Sequence, residues 1–362
     1  MSEAVKVVGV VPSLNPDERL KDVVNGLLEV GLPHVIVVDD GSKPELQHFF
    51  DEVAQIEGCT VLHHEANKGK GGAIKTAIIY YQEHFDLNEY KGIVTADADA
   101  QHVSSDVYNC AKTLMENPES LILGTRNFDE EGVPFKSRRG NKLTASLFKI
   151  LYGQAVHDVM TGLRVFPNKM AQRGLSVKNN RFEWETKLLV KSVLNQESVI
   201  EIPIETVYYD GNKDTTFQPV KDSIRIYKIL FGTFLKYVLS ALSCVVVDQG
   251  LFAFFQKVVF KGLKLDNAIL VSTILARAVS SFINYLLNRN VVFENRGKMH
   301  KTAIRYYTLC VLQMLASALG VMGVTRLTKL DPSIAKVIVD TLLFFVSYRV
   351  QRMWVFKVKE DE

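Results

Sequence analysis

The sequence predicts two structural classes in one chain of 362 residues: an α/β domain followed by an all-α transmembrane domain of four helices. Short apolar runs alternate with helical patterns up to about residue 217, which is typical of a doubly wound, mostly parallel sheet. Long apolar stretches dominate beyond residue 234. We predict an α/β domain at 1–218, an amphipathic interfacial helix or linker at 219–233, and the transmembrane domain at 234–362.

Acidic residues follow several of the predicted strands. Apolar runs predict strands at 5–11, 35–38, 60–62, 92–96 and 121–124, and amphipathic patterns predict helices at 17–30, 43–55 and 72–84. Asp39, Asp40 and Asp97 each come directly after a strand. Ligands of such sheets bind at the carboxyl ends of the strands, so we expect these three side chains to share one pocket.

The most informative motif is Asp97-Ala98-Asp99-Ala100-Gln101-His102, which follows a buried strand. Two carboxylates one residue apart at a strand end can face one hard divalent cation, Mg²⁺ or Mn²⁺, that bridges to a substrate pyrophosphate. Taken alone, the motif is also compatible with a solvated acidic turn. The remaining motifs favour the cation site.

Glycines mark a turn at Asn67-Lys68-Gly69-Lys70-Gly71-Gly72, between a predicted strand and a predicted helix. Glycines there let backbone N–H groups approach a phosphate, and the N-terminus of the helix favours an anion. We therefore predict that this turn faces a nucleotide.

Three later segments carry polar residues whose roles the sequence leaves open. Residues 136–152 form a basic amphipathic pattern, which suits either an anionic membrane surface or a core-facing helix with a solvated basic face. Residues 158–164 form a polar turn. Glu183 and Glu185 open another helix, where acidic residues are ordinary.

Four apolar stretches are long enough to cross a bilayer, which needs roughly 20 helical residues. They lie near 234–256, 267–288, 303–325 and 334–355. Since no secretory signal precedes the first strand, we expect the α/β domain in the cytoplasm. Basic residues between the second and third stretches favour the same topology: Arg289, Arg296, Lys298, Lys301 and Arg305.

Charged residues also occur inside these stretches, at Asp248, Arg277 and Asp340. Buried charges in lipid are costly, so we expect either an Asp–Arg pair that holds the bundle together or a path for a lipid head group. The four cysteines show no metal or redox spacing. A net charge of +3 gives no reason to predict a nucleic-acid partner.

The ordered motifs of the first half resemble family 2 glycosyltransferases with a GT-A fold, and most of all the polyprenyl-phosphate branch that includes dolichyl-phosphate mannose synthase. The resemblance covers about residues 5–230 and rests on the ordered set as a whole. Its elements are Pro12 with Asn15, Asp39 to Ser42, Asn67 to Gly69, Asp97 to His102, Arg126, and Asp158 to Arg164.

The second half resembles the GtrA-like family of four-span membrane proteins that are linked to lipid-carried sugars. The resemblance spans about residues 234–357. Arg277 to Phe293 and Ser347 to Phe356 carry it.

The resemblance implies a role for each motif. A nucleotide site would comprise Pro12, Asn15, Asp39, Asp40, Lys68, Lys70 and Asp97. Asp97, Asp99 and Gln101 would hold Mg²⁺ or Mn²⁺. An acceptor phosphate site would comprise Arg126, Arg138, Arg139 and Arg164. The residues expected to carry catalysis are Asp97, Asp99, Arg126, Arg138 and Arg139.

The predicted function is metal-dependent, inverting transfer of one sugar from a UDP- or GDP-sugar to polyprenyl phosphate, undecaprenyl or dolichyl, at the cytoplasmic membrane face. Cell-wall polysaccharide biosynthesis is the expected setting, and a homo-oligomer is compatible with the sequence. The alternatives are a processive polysaccharide synthase, a non-catalytic flippase or scaffold for lipid-linked sugars, and a nucleotidyltransferase. The sequence does not identify the sugar or the nucleotide base.

Overall fold

A computed structural model of the protein describes residues 4–129, 133, 135–205, 219–262, 264–295 and 297–357. The chain divides into two compact units, Met1–Ile229 and Leu230–Glu362. The predicted boundary at residue 218 falls at the end of a segment, 206–218, that lies outside the described residues. That boundary therefore stays a prediction.

The first unit contains a seven-stranded sheet in the order β3-β2-β1-β4-β6-β5-β7. The strands are β1 (Val7–Ser13), β2 (Val35–Asp39), β3 (Cys59–His63), β4 (Gly92–Thr95), β5 (Leu121–Arg126), β6 (Arg164–Pro167) and β7 (Val199–Ile204). Strand β6 is antiparallel to both of its neighbours, and the other pairs are parallel. The sheet confirms the predicted doubly wound, mostly parallel α/β class.

Helices connect the strands. They are α1 (Arg19–Glu29), α2 (Gln47–Val53), α3 (Lys70–His84), α4 (Ser104–Glu116), α5 (Phe135–Tyr152), α6 (Asn168–Leu175) and α7 (Glu183–Leu194). Helix α1 illustrates the helical pattern, because four of its apolar residues recur at helical spacing and are buried: Leu20, Val23, Val24 and Leu27. They join the strand valines in one core.

The parallel register aligns the carboxyl ends of the central strands. Ser13, the last residue of β1, lies beside Asp39, the last residue of β2. Strand β4 ends at Thr95, two residues before Asp97. The motifs predicted to share a pocket therefore start from neighbouring positions on one edge of the sheet.

The second unit is helical. Its helices are α8 (Pro219–Phe254), which begins in the first unit, α9 (Leu265–Leu287), α10 (Met299–Thr328) and α11 (Pro332–Val350). Residues 219–233, predicted as a linker helix, are the first part of α8, which continues without a break into the first predicted span. Helices α8, α9 and α11 each end in a π-helical turn, at Phe255–Val259, Asn288–Val292 and Gln351–Val355.

Three helical segments of the described residues are long and apolar enough to cross a membrane: Ile224–Val259, Asp266–Val292 and Met299–Thr328. The fourth predicted span forms helix α11, of 19 residues. That helix carries three charged residues, Lys336, Asp340 and Arg349, and is not among the three. The fourth crossing therefore remains a prediction.

Candidate active site

Asn15 ties the loop after β1 to the loop after β2. Its backbone N–H donates to Ser42 Oγ at 2.8 Å, and its Oδ1 accepts from the N–H of Lys43 at 3.0 Å. Asn15 has a left-handed backbone conformation, with φ of 52°, which asparagine tolerates better than most residues. Pro12, one strand residue before Ser13, lies opposite Val38. These contacts hold two of the predicted nucleotide-binding segments side by side.

Asp39 is buried and receives three hydrogen bonds. The N–H of Ser42 donates to Oδ1, while Gln47 Nε2 and His63 Nδ1 lie 2.9 and 3.1 Å from Oδ2. Burial favours the neutral carboxyl group, but these hydrogen bonds outweigh burial and lower the pKa of Asp39. Asp39 is therefore a fixed anion at the end of β2.

The carboxylate of Asp40 binds the backbone of the glycine turn. Its oxygens accept from the N–H groups of Lys68 and Gly69 at 2.8 and 2.7 Å, and His64 Nδ1 lies 2.8 Å from Oδ1. Gly69 has φ of +90°, a conformation that favours glycine. The side chain of Asp40 is thus occupied by the turn, while the side chain of Lys68 is exposed. The side chain of Asp40 therefore fixes the backbone of the turn.

Lys70 lies between two carboxylates. Its Nζ is 2.7 Å from Asp97 Oδ1 and 3.3 Å from Glu185 Oε1. Burial disfavours the ammonium form, but the two carboxylates outweigh burial and raise the pKa of Lys70. Glu185 is itself buried, which raises its pKa despite Lys70. The first residue of α3 thus supplies a fixed cation at the end of β4.

The two aspartates of the Asp-x-Asp motif differ in their electrostatics. Burial opposes ionisation of Asp97, yet the charge of Lys70, with help from His102, holds the pKa of Asp97 at about 2. Burial and the negative charge of Asp97 raise the pKa of Asp99. Ala100 turns the loop with φ of 60°, and the N–H of Gln101 donates to Asp99 Oδ1 at 3.2 Å.

These residues fit a divalent cation by the chemistry of their donors. Asp97 and Asp99 supply hard carboxylate oxygens, and their mutual repulsion is the kind of interaction that a bound cation relieves. Within the residues that the structure describes, no three His, Cys, Asp or Glu side chains form a metal cluster.

Gly162 packs directly against the motif. A Cβ atom at this position would lie 2.3 Å from Asp97 Oδ2 and 3.0 Å from Lys70 Nζ. Thr95, at the end of β4, donates to the carbonyl oxygen of Gly162 at 2.9 Å. Any larger residue at this position would require Asp97 or the loop that carries Gly162 to shift.

Arg126, at the end of β5, forms a two-point ion pair with Asp158. Its Nε lies 2.6 Å from Oδ2, and its Nη2 lies 3.1 Å from Oδ1. Asp158 is fully buried, whereas Arg126 is about a quarter exposed (26% of its side chain) and lies over the ring of Phe128. The charge of Arg126 also helps to lower the pKa of Asp97. Arg126 therefore lies within electrostatic reach of the motif.

The other predicted acceptor arginines lie in different settings. Arg138 donates from Nε to the carbonyl oxygen of Phe128 at 2.7 Å, which brings the start of α5 to the loop after β5. Arg139 is exposed and lies over the ring of Phe135. Both belong to the basic helix that the sequence predicted.

Arg164 requires a correction. It is completely buried, and its guanidinium group donates to the carbonyl oxygens of Thr161, Glu185 and Val159 at 2.8–2.9 Å. All three donor nitrogens are used inside the fold, so Arg164 holds the 158–164 turn together. It is left out of the proposed acceptor site.

Sequence reasoning missed three contributors: Glu185, Asp158 and Gly162. Each lies in a segment that the sequence marked as polar, but nothing in the pattern paired them with Lys70, Arg126 or Asp97. The pairs join residues far apart in the chain. Helix start positions and glycines are too common for their sequence signal to select these three.

The comparisons with known families agree with this architecture. Residues 10–175 match the model of glycosyl transferase family 2, and residues 236–356 match the transmembrane domain model of GtrA/DPMS proteins. The protein is a glycosyltransferase and a membrane protein: it carries a glycosyl transferase family 2 domain followed by a GtrA/DPMS transmembrane domain. Both predicted resemblances are confirmed.

Curated relatives match mainly the first half. An uncharacterised protein of Methanocaldococcus jannaschii is 29% identical over 232 residues, covering 61% of this chain and 88% of the relative. The UDP-N-acetylglucosamine–dolichyl-phosphate N-acetylglucosaminyltransferase of Methanococcus voltae is 28% identical, covering 55% and 84%. The polyprenol monophosphomannose synthase of Mycolicibacterium smegmatis is 25% identical, covering 54% and 75%.

Proposed function

We propose that this glycosyltransferase moves one sugar from a nucleotide-diphosphate sugar, UDP- or GDP-linked, to a polyprenyl phosphate such as undecaprenyl or dolichyl phosphate. One observation carries the proposal: Lys70, Asp97 and Asp99 meet beside the Arg126–Asp158 pair at one edge of the sheet. The names of two relatives support it, since one specifies dolichyl phosphate and the other polyprenol monophosphomannose.

Charge explains why this reaction needs such a site. A nucleoside diphosphate and a lipid phosphate are both anions, and they must approach to bonding distance. Lys70 and Arg126 supply fixed cations beside that meeting point, in surroundings that are partly shielded from water. Mg²⁺ or Mn²⁺, when bound by Asp97, Asp99 and Gln101, would offset the charge of the departing nucleoside diphosphate.

The donor half of the site would use the carboxyl ends of β1 and β2. Pro12, Asn15 and Asp39 line that edge, and the turn that carries Lys68 and Lys70 faces the same side. Asp40 would contribute by fixing the backbone of the turn. Asp39 accepts hydrogen bonds as a fixed anion, which suits donors on a nucleoside better than phosphate oxygens.

The acceptor half would use arginine. Arg126 is held as a rigid fork by Asp158, and the planar guanidinium group suits phosphate because it donates two hydrogen bonds at once. Arg138 and Arg139 would add positive charge from α5. The acceptor phosphate is then positioned before it reacts.

The chemical step needs no strong general base. A phosphate oxygen of the acceptor is already a nucleophile at neutral pH. It forms a bond to the anomeric carbon as the bond from that carbon to the diphosphate oxygen breaks. Attack opposite the leaving group inverts the anomeric centre, and the nucleoside diphosphate leaves with the electron pair.

The second unit would anchor this chemistry at the bilayer. We propose four crossings, with α11 as the fourth, and the catalytic domain on the cytoplasmic side. Basic residues in the α9–α10 connection and at the start of α10 favour that side for this segment, including Arg289, Lys298 and Lys301.

The test is direct. Membranes that contain the full-length protein are incubated with polyprenyl phosphate and a panel of UDP- and GDP-sugars, and the lipid products are weighed by mass spectrometry. We expect the mass of one hexose-type unit added to the lipid phosphate. Asp99→Ala should abolish the product, while Asp51→Ala, on the exposed face of α2, should leave it unchanged.

Two other outcomes would overturn the proposal. A polymer product would favour a processive synthase. Movement of labelled lipid between the leaflets of vesicles, with no new lipid product, would favour a flippase or scaffold.

A further inference from the structure

Helices α9 and α11 end in the same twelve-residue pattern. Residues 282–293 read FINYLLNRNVVF, and residues 345–356 read FVSYRVQRMWVF. Five of the twelve positions are identical, and Ile/Val, Asn/Ser and Asn/Gln replace one another at three more. Two helices of similar length that end in the same sequence pattern are the signature of an internal repeat.

The two segments also share their backbone and burial. The π-helical turns at Asn288–Val292 and Gln351–Val355 occupy equivalent positions in the pattern. The paired tyrosines, Tyr285 and Tyr348, are both fully buried within the second unit. Because π-helical turns are rare, their recurrence at matching positions is a second, independent similarity.

Ring contacts between the segments are symmetric. Tyr285 and Phe356 lie 6.0 Å apart at an angle of 34°. Exchanging each residue for its repeat equivalent gives Tyr348 and Phe293, which also lie 6.0 Å apart at 34°. Two contacts that transform into one another with the same geometry indicate a local twofold axis.

Equivalent residues meet each other across that axis. Phe293 stacks on Phe356 with ring centroids 5.2 Å apart. Asn288 donates from Nδ2 to Gln351 Oε1 at 3.1 Å, and both side chains are buried. Contacts between equivalent residues are the mark of an isologous interface, in which one surface packs against a copy of itself.

The domain consists of two helical hairpins, α8–α9 and α10–α11, and the first helix of each hairpin follows the same symmetry. Tyr237 of α8 lies 5.3 Å from Tyr348 at 52°, and Tyr306 of α10 lies 5.4 Å from Tyr285 at 57°. The same two tyrosines lie 6.2 Å from Phe293 and Phe356 respectively. This correspondence also aligns Thr233 with Thr302 and Lys236 with Arg305.

Two polar pairs that each join neighbouring apolar helices also occupy equivalent positions. Asp248 of α8 pairs with Arg277 of α9 at 3.5 Å. The equivalent residues are Ser317 of α10 and Asp340 of α11, and Ser317 donates to Asp340. Each hairpin therefore has one carboxylate that joins its two helices at the same level, which explains why polar groups persist there.

We infer that the transmembrane domain is a tandem duplication of one helical hairpin, α8–α9 and α10–α11, whose halves pack through a self-complementary face around a pseudo-twofold axis between Asn288 and Gln351. Parallel repeats related by an axis along the membrane normal are a known way to build membrane domains. The face of each hairpin therefore packs against the other hairpin of the same chain.

Segment exchange in the full-length chain tests this inference. Residues 345–356 are replaced by the sequence of 282–293, and the reciprocal exchange is made in a second variant. The controls carry the same twelve residues in scrambled order, with the apolar positions kept apolar. The readout is the fraction of monodisperse protein in detergent after a heating series.

We expect both exchanges to keep at least half of the wild-type monodisperse fraction, and the scrambled controls to lose it about tenfold. Exchanges that perform no better than their scrambled controls would overturn the inference.

Point variants give a second test that does not depend on the exchanges. Phe293→Ala and Phe356→Ala should lower the melting temperature by the same amount, within about 2 °C, because the two rings have equivalent surroundings. Phe254→Ala, at a half-exposed ring outside the repeat contacts, should change it little. Losses at Phe293 and Phe356 that differ by more than twofold would contradict the symmetry.

Discussion

Lys70 Nζ lies 2.7 Å from Asp97 Oδ1, so the first residue of α3 is paired with the first aspartate of the Asp-x-Asp motif. The glycine turn before α3 makes this pairing possible, because Gly69 redirects the backbone into the helix with φ of +90°. The turn that was predicted to face a phosphate and the motif that was predicted to hold a cation are thus parts of one electrostatic unit.

Lys70→Met should reduce sugar transfer by about 100-fold or more, the usual cost of removing one preorganised charge from a polar active site. It should also destabilise the fold, because Asp97 and Glu185 would lose their shared cation. Initial rates and thermal unfolding of the same preparation separate the two effects. Lys112→Met, on the exposed side of α4, is the control. More than a tenth of wild-type activity in Lys70→Met would contradict the role.

Gly162→Ala should inactivate the enzyme while leaving most of the fold intact. The new Cβ would lie 2.3 Å from Asp97 Oδ2, so either the loop or the aspartate must move. Gly232→Ala, where a Cβ meets no atom within 4 Å, should be neutral. Comparison of transfer rates with detergent-extracted yield checks the prediction. A fully active Gly162→Ala protein would show that Asp97 is not constrained as described.

Arg126→Lys should raise the KM for polyprenyl phosphate by about tenfold or more, with a smaller effect on the KM for the nucleotide sugar. Lysine keeps the charge but cannot bind Asp158 and a phosphate through a planar fork. Arg173→Lys is a matched control, because Arg173 also pairs with a carboxylate, that of Glu197. Equal changes in both KM values would argue against an acceptor-specific role.

Chelation should abolish transfer if a divalent cation acts at the Asp-x-Asp motif. EDTA should stop the reaction, and Mg²⁺ or Mn²⁺ should restore it in the wild-type protein. Asp99→Asn should require at least about tenfold more metal for half-maximal activity, because one of two carboxylate ligands is lost. Isothermal titration of Mn²⁺ in the presence of a nucleoside diphosphate gives a readout independent of activity. Full activity in EDTA would remove the metal from the mechanism.

The sequence by itself determined the two-part architecture and the edge of the sheet where the candidate site lies. Apolar runs of β-branched residues, such as the valines of β1, are local signals for buried strands. Parallel connectivity then aligns the strand ends, so Asp39 and Asp97 were placed correctly without any long-range information. The apolar helices were equally predictable, because the composition of a membrane-spanning segment is dictated by lipid.

Only the tertiary structure decided which charged groups are free to bind ligands and which hold the fold together. Arg164 was predicted to face a phosphate, but the fold buries it and uses all its donor nitrogens on carbonyl oxygens. Asp40 binds the backbone of the glycine turn, and Glu185 pairs with Lys70 from α7, which is far from Lys70 in the sequence. Hydrogen-bond partners and burial depend on contacts between residues far apart in the chain, and local residue patterns do not encode those contacts.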